Sequence, residues 1–299
     1  MIYPEQNNNN NGNSCFNWGG DAGTELSDMD PAGTIRVGST YTWKGQSKTS
    51  QGDESGSIMQ MVDYVKNNYQ IDNSKVYVSG LSAGGYMTTL LLSVYPDVFA
   101  AGAPMSGGPY LCNRLATGKF DSQAAYNCLA PGNDQTPEHW ASMINYSGYV
   151  KPAHIPWPRV QIWQGGKFDT DNYHAHSNNG DPIVKSINAV ELMEQWTALH
   201  GIDQAFDERS NLKNNAKFEY RKFKDQNGRS LVEMILIEGM GHGIAVDPNG
   251  TGEDKGGNLG AWSNSVGIWS SYYAWEFFSR QENIRSEEHT SELQSPNTI

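Results

Sequence analysis

The feature that most constrains this fold is a short serine-centred turn between a strand and a helix. Residues 80–84 fit the pattern G-x-S-x-G, with Ser82 at the centre. The β-branched and aromatic run at 75–79 predicts a strand before the turn. A helical pattern follows from Ala83 until Pro96 forbids its continuation. This strand, turn and helix predict a nucleophile elbow within an α/β architecture.

The same alternation of strands and helices continues along the chain. One helix is predicted from the apolar spacing over 58–65, behind a polar run at 53–55, and should end near 67–68. Further helices are predicted at 190–199 and 270–278, and further strands at 99–105, 159–164, 218–223 and 231–237. The last two strands flank an Asn-Gly turn that predicts a hairpin. We expect one catalytic domain over 1–284. Residues 285–299 lack apolar periodicity, resemble a translated sequencing adapter, and are set aside as a non-native tail.

Composition excludes several classes of partner. The net charge of -12 repels phosphate backbones and anionic lipid, so we expect neither nucleic acid nor a membrane surface as partner. The sequence contains no run of about 18 consecutive apolar residues, so we expect no segment that spans a bilayer. Residues 1–4 have neither the basic nor the apolar region of a signal peptide. Neutral or polymeric substrates remain compatible with this composition.

The three cysteines are too few for a disulfide scaffold and lack the spacing of a zinc site. Cys112 and Cys128 bracket a polar loop and could close it as a disulfide; two reduced buried thiols are the alternative. Only 18% of the residues are charged, a composition that suits secretion and favours oxidation. Cys15 stands outside this pairing.

A serine hydroxyl needs a base, usually a histidine oriented by a carboxylate. Of seven histidines, His242 is the best placed, on a glycine-flanked loop after the last predicted strand. Asp169, in the loop after the strand at 159–164, is our choice for the carboxylate, with Asp171 next. The order Ser82, Asp169, His242 is that of α/β-hydrolases. The Ala83 N–H, at a helix N-terminus, would bind the oxyanion.

These residues also allow purely structural interpretations and one alternative functional interpretation. His139 and His200 are better explained as surface or core histidines, and the glycines around His242 could form a mere turn. Asp169, Asp171, His174 and His176 lie close enough in sequence to form a metal site, and a metallohydrolase is therefore a minor alternative. Polar loops often concentrate such residues without binding anything, so we expect no metal and no cofactor.

Four separated motifs, at 76–87, 95–102, 158–165 and 239–248, resemble the secreted polyhydroxybutyrate depolymerase family of esterases. Acetylxylan and feruloyl esterases are related to that family. The resemblance covers most of residues 1–280. It implies an α/β-hydrolase fold with a mostly parallel sheet flanked by helices, an extracellular protein, and Ser82, Asp169 and His242 as the triad.

Two departures from the family pattern stand out. The family acid sits in a Gly-Thr-Ala-Asp pattern, whereas here Asp169 ends Gly-Lys-Phe-Asp and precedes an insert through Asp181. Family members also begin with strands and a His-Gly-Cys-type loop that lends a second oxyanion donor. We expect a chain truncated after those elements, its signal peptide lost with them. The strand at 75–79 would then have an unpaired buried edge.

The sequence therefore predicts a serine carboxylic-ester hydrolase that works through an acyl-enzyme, acting on a polyhydroxyalkanoate-type polyester. An acetylxylan or feruloyl esterase is the first alternative. A catalytically inactive hydrolase-like fragment or binding protein is the second. The oligomeric state stays open.

Overall fold

A six-stranded sheet organises the molecule. The computed structural model describes residues 1–7, 14–19, 31–114, 121–129, 133–168, 175–176 and 180–280. The sheet runs in the order β3-β4-β5-β10-β9-β8. Its strands are β3 (Tyr77–Leu81), β4 (Ala101–Met105), β5 (Arg159–Gly165), β8 (Glu208–Asn211), β9 (Phe218–Lys224) and β10 (Ser230–Ile237). The first four in this order are mutually parallel, and β9 and β8 add on as antiparallel strands.

Helices cover both faces of the parallel strands. They are α1 (Asp53–Asn68), α2 (Ala83–Val94), α5 (Ile187–His200) and α6 (Ser270–Ser279), with the short α3 (Ser122–Asn127) and α4 (Pro137–Ser142) between β4 and β5. Successive residues of β4 point to opposite faces. Gly102 lies so close to Leu92 of α2 that a Cβ would come within 2.6 Å of it. Ala101 and Ala103 pack with Phe277 of α6 on the other face. The predicted α/β architecture is confirmed.

Local signals explain where several elements begin and end. α1 carries Asp53 and Glu54 in its first turn, where carboxylates favour a helix N-terminus. α5 ends at Gly201, whose φ of 69° is the left-handed conformation that terminates many helices. The hairpin of β9 and β10 closes at Gly228, with φ 79°, in the Asn-Gly turn predicted from sequence. These three boundaries follow from residues within a few positions of each end.

β3 forms one end of the sheet. Among the described strands it pairs with β4 alone. Its side chains are half-buried, except that Ser79 is exposed.

Smaller strand pairs lie outside the main sheet. They are β1 (Thr40–Trp43) with β2 (Gln46–Thr49), β6 (Lys167–Phe168) with β7 (Ala175–His176), and β11 (Ile244–Val246) with β12 (Ser263–Ser265). No described helix is both long and apolar enough to cross a membrane. The tail at 285–299 lies outside the described residues.

Candidate active site

Ser82 occupies a strained turn between β3 and α2. Its backbone has φ 55° and ψ -120°, a conformation that non-glycine residues rarely adopt and that clusters at functional sites. The flanking glycines permit this turn. A Cβ on Gly80 would lie 2.4 Å from the carbonyl oxygen of Gly84, and one on Gly85 would lie 2.6 Å from that of Met105. The strand-turn-helix setting predicted for residues 80–84 is therefore present.

The Ser82 hydroxyl and the Ala83 N–H stand together at the start of α2. Ser82 is partly exposed, and its hydroxyl does not cap the helix. No hydrogen bond involves that hydroxyl within the described part of the chain. Ala83 is the first residue of α2, so its N–H belongs to the end of the helix that attracts negative charge. An accessible hydroxyl beside such an N–H suits attack on a carbonyl carbon.

His242 lies in the glycine-rich loop after β10 and is held by a buried carboxylate. Its Nδ1 is 2.7 Å from Oδ2 of Asp181. The two side chains are 7% and 0% exposed. Because a carboxylate accepts, Nδ1 carries the hydrogen and Nε2 is left to act as a base. Among the described residues, Nε2 has no hydrogen-bond partner.

Asp181 is fixed by further donors. Its Oδ1 accepts from the N–H groups of Ile183, at 2.8 Å, and Val184, at 2.9 Å. Its Oδ2 accepts from Nε2 of Gln164, at 3.2 Å. Burial works against its charge, but the hydrogen bond and charge of His242 and the two backbone donors outweigh burial and lower the pKa of Asp181. The carboxylate is therefore ionised at neutral pH.

The carboxylate that contacts His242 is not the one named in the sequence analysis. Asp169 and its runner-up Asp171 lie outside the described residues. The carboxylate on His242 is Asp181, at the end of the same insert. The insert contains several acids, and the choice among them depends on which backbone donors and which strand neighbour each one meets. One feature of the sequence could have indicated Asp181. Of the acids in the insert it is the nearest in sequence to α5, and the N–H groups of a turn before a helix can hold an aspartate.

Backbone hydrogen bonds join the loops that carry these residues. Ser82 N donates to Met105 O at 2.9 Å, and Asp181 N donates to Gly165 O at 3.1 Å. Gly166 N donates to Ile237 O at 3.0 Å, which brings the end of β5 to the end of β10. Burial and the charge of Asp181 both raise the pKa of Tyr86, which lies in the first turn of α2. The carboxyl edge of the parallel strands thus gathers all three loops.

An exposed tryptophan stands beside His242. Trp262 is 58% exposed, and its ring meets the imidazole edge-to-face with centroids 5.7 Å apart. Parallel pairing of β11 with β12 holds it there, since Ile244 N donates to Trp262 O at 3.0 Å. A large apolar surface next to the base is available to a substrate.

Some of the remaining sequence predictions concern described residues, and others do not. Cys112 and Cys128 form the expected disulfide, with Cα atoms 5.6 Å apart. His200 lies at the far end of α5, where Nε2 donates to Pro158 O. Asp169, Asp171 and His174 of the rival metal site lie outside the described residues. Within the described ranges, no group of three or more His, Cys, Asp or Glu side chains could hold a metal ion.

Residues 14–165 match the model of the prolyl oligopeptidase family. The chain belongs to the prolyl oligopeptidase family. Its homologues include poly(3-hydroxyalkanoate) depolymerase C of Paucimonas lemoignei, 39% identical over 93% of this chain and 55% of that protein. Feruloyl esterase B of Talaromyces stipitatus is 32% identical over 66% of this chain and 49% of that one. The resemblance to depolymerases and esterases drawn from the four motifs is confirmed.

A solved structure supports the same fold for this prolyl oligopeptidase family member. The acetyl xylan esterase from Aspergillus awamori superposes with a TM-score of 0.52 and 27% identity, covering 72% of this chain and 67% of that one. The fold is that of the α/β-hydrolases. The chain spans about half the length of the curated relatives it matches.

Proposed function

We propose that this protein is a serine carboxylic-ester hydrolase that works through an acyl-enzyme. One observation carries the proposal: the buried Asp181–His242 pair lies at the same sheet edge as Ser82 on its strained turn. A histidine oriented through Nδ1 and a strained, accessible serine are the two parts that activated-nucleophile chemistry requires.

In the proposed reaction, Nε2 of His242 takes the hydroxyl proton as Ser82 Oγ attacks the ester carbonyl carbon. The Ala83 N–H donates to the oxyanion. His242 then gives the proton to the departing alcohol, and the acyl group remains on Ser82. Water, deprotonated by His242, attacks the acyl carbon and releases the acid, which restores the serine. Asp181 keeps the imidazole in the required tautomer and balances its positive charge.

We infer that the substrate is a polyhydroxyalkanoate-type polyester. The 39% identical relative is named for depolymerising such a polymer, and Trp262 offers an apolar surface for an aliphatic chain. A neutral polyester also avoids repulsion by the net charge of -12. Acetylated or feruloylated polysaccharide is the second candidate, favoured by the esterases of 27% and 32% identity.

We also propose that the protein acts outside the cell. The Cys112–Cys128 disulfide supports this, because such bonds persist in oxidising compartments and are rare in the cytosol. An insoluble polymeric substrate would have to be met there.

Substrate comparison tests the proposal. The purified chain is assayed on polyhydroxybutyrate film, acetylated xylan, a methyl ferulate ester and a proline-containing peptide anilide. We expect turnover of the film and of soluble hydroxybutyrate oligomers, and none of the anilide. Preferred cleavage of the anilide would replace the esterase by a peptidase, in line with the family name.

The serine variant provides the decisive control. Ser82→Ala should lower kcat by about 100,000-fold or more, because the nucleophile is lost. Ser79→Ala, at an exposed position of β3, should change kcat by less than about threefold. A folded protein that hydrolyses no ester, or one in which Ser82→Ala stays active, would contradict the proposal.

A further inference from the structure

A cavity lies at the amino edge of the parallel strands, opposite the carboxyl edge that carries the candidate active site. It has a volume of about 300 Å³, at the small end of the range for ligand sites. Tyr77 and Arg159, at the starts of β3 and β5, line it together with part of the 151–157 loop. Since β3 separates Tyr77 from Ser82, the cavity is about 16 Å from the elbow. It is therefore a site separate from the candidate active site.

Cationic side chains dominate this cavity. Lys75, Lys151, Arg159 and Arg229 line it, against one carboxylate, Asp225. This concentration of positive charge contrasts with the net charge of -12 for the whole chain. Such a patch attracts anions into a confined space where their charge interacts strongly.

Two of these cations, Lys151 and Arg159, donate hydrogen bonds to backbone carbonyl oxygens rather than to carboxylates. The other two form ion pairs, Arg229 with Asp225 at 2.7 Å and Lys75 with Asp72 at 3.7 Å. By contrast, Lys151 Nζ donates to the carbonyl oxygens of Pro152 and Ile155. Neither Lys151 nor Arg159 forms an ion pair within 4 Å in the described part of the chain. Both therefore retain the capacity to bind an anion.

Arg159 is the most deeply set of the four cations. It is 6% exposed, and its Nη2 donates to Phe277 O at 2.9 Å. Its Nε and Nη1 make no hydrogen bond to any described residue. Burial lowers its pKa to about 10, and the charge of Glu233 partly offsets that burial, so the guanidinium stays charged at neutral pH. A buried guanidinium with two donors to spare is suited to a carboxylate.

The rest of the cavity wall is apolar. Ile155, Trp157, Leu199 and Leu231 contribute to it. Lys151 Nζ lies 5.2 Å from the centre of the Trp157 ring, so a charged and an aromatic surface meet at one corner. A ligand that fills this space needs an anionic head and a short apolar body.

We propose that the amino-edge cavity binds an organic monocarboxylate with a short apolar or aromatic body. The carboxylate lies between Arg159 and Lys151, and the body packs on Trp157. This inference stands apart from the proposed function, because no lining residue belongs to the candidate active site.

His200 supplies a built-in reporter, since it also lines the cavity. Burial, together with the charges of Arg159 and Lys151, lowers its pKa to about 4, against the bond it donates to Pro158 O and the charge of Asp225. An anion bound between the two cations would offset their charge. The pKa of His200 should therefore rise when the cavity is occupied.

Heteronuclear NMR titration of the full chain tests the proposal. The probes are benzoate, the neutral benzyl alcohol of similar shape, and sulfate. We expect benzoate to shift the Lys151, Arg159 and Trp157 resonances saturably and to raise the His200 pKa. Benzyl alcohol and sulfate should each bind at least about tenfold more weakly. Sulfate binding as tightly as benzoate, with the same shifts, would reduce the cavity to a general anion site and overturn the proposal.

Two matched lysine variants distinguish the effect of a charge in the cavity from the effect of the protein's overall charge on benzoate binding. Lys151→Met should weaken benzoate binding at least about fivefold. Lys217→Met removes the same charge from an exposed lysine elsewhere and should change it less than twofold. Equal effects of the two variants, benzyl alcohol binding as tightly as benzoate, or benzoate shifts confined to Ser82 and His242 would each overturn the proposal.

Discussion

The two edges of one parallel sheet differ in how their charged groups are satisfied. At the carboxyl edge, Asp181 accepts four hydrogen bonds, including the one from His242. At the amino edge, Arg159 has donors on Nε and Nη1 with no partner in the described residues. The comparison teaches that a carboxylate that orients a histidine is itself fixed by several donors, whereas a group that we propose to bind an anion keeps its donors open.

The backbones of the two edges differ in the same sense. Ser82, with φ 55°, follows β3, and Ser106, with φ 48°, follows β4. The strand starts at Tyr77 and Arg159 have no positive φ angle. Of these two edges, the carboxyl edge therefore carries the strained residues, and close backbone packing around Gly80 holds the turn at Ser82.

The largest effect expected from this comparison concerns the acid at the carboxyl edge. Asp181→Asn should lower kcat about 1,000- to 10,000-fold, because the imidazole loses its tautomer and its counter-charge. Asp169→Asn is the matched comparison and should lower kcat less than about threefold. Steady-state kinetics on a soluble hydroxybutyrate oligomer measures both. A large loss in Asp169→Asn and a small one in Asp181→Asn would assign the acid to Asp169 instead.

The next effect concerns the backbone packing of the elbow. Gly80→Ala should lower the free energy of unfolding by about 1–3 kcal/mol or more, because a Cβ would lie 2.4 Å from the Gly84 carbonyl oxygen. Gly241→Ala, whose Cβ would meet its nearest atom at 3.5 Å, should cost less than about 0.5 kcal/mol. Urea unfolding measures both. Equal stabilities would show that the elbow is not tightly packed.

The two edges should also lose stability in different pH ranges. His200 has a pKa of about 4 in the folded protein and an ordinary value of 6.5, so folding favours its neutral form. Between these values the unfolded chain binds more protons, and stability falls as the pH falls from 6.5 to 4. The lowered pKa of Asp181 acts only below its ordinary value of 3.8.

The His200→Gln variant isolates the amino-edge contribution. It should remove roughly 1–3 kcal/mol of the stability change between pH 6.5 and 4, as measured by urea unfolding at a series of pH values. An unchanged profile in His200→Gln would contradict the assignment of this range to the amino edge.

The smallest effect concerns the exposed ring at the active site. Trp262→Ala should raise KM about 3- to 10-fold for oligomers with little change in kcat, because it removes contact area rather than a reacting group. Trp275→Ala, which is 60% exposed on α6, should leave KM unchanged. A fall in kcat without a rise in KM would assign Trp262 to positioning His242 instead.

A site residue could be predicted from the sequence where the residues that determine its position lie close to it in the chain. The elbow could be predicted because a strand pattern, two glycines and a helix pattern lie within about twenty residues of Ser82. His242 could be predicted from the glycines beside it and the strand before it. Asp181 could not, because its selection depends on Gln164 of another element and on the turn N–H groups of Ile183 and Val184.

The amino-edge cavity was beyond sequence reasoning for the same reason. Lys75, Lys151, Arg159 and Arg229 are spread over half the chain and form no motif. They meet only because parallel strands align their starts at one edge. The order of the sheet strands is likewise an outcome of packing rather than of any local pattern.

The most direct measurement of the central claim is intact-mass and peptide-level mass spectrometry after exposure to a fluorophosphonate ester. The account predicts one adduct per chain, located on Ser82, absent in Ser82→Ala and formed at least about 100-fold more slowly in Asp181→Asn. No adduct on the folded chain, or an adduct that persists in Ser82→Ala, would contradict it.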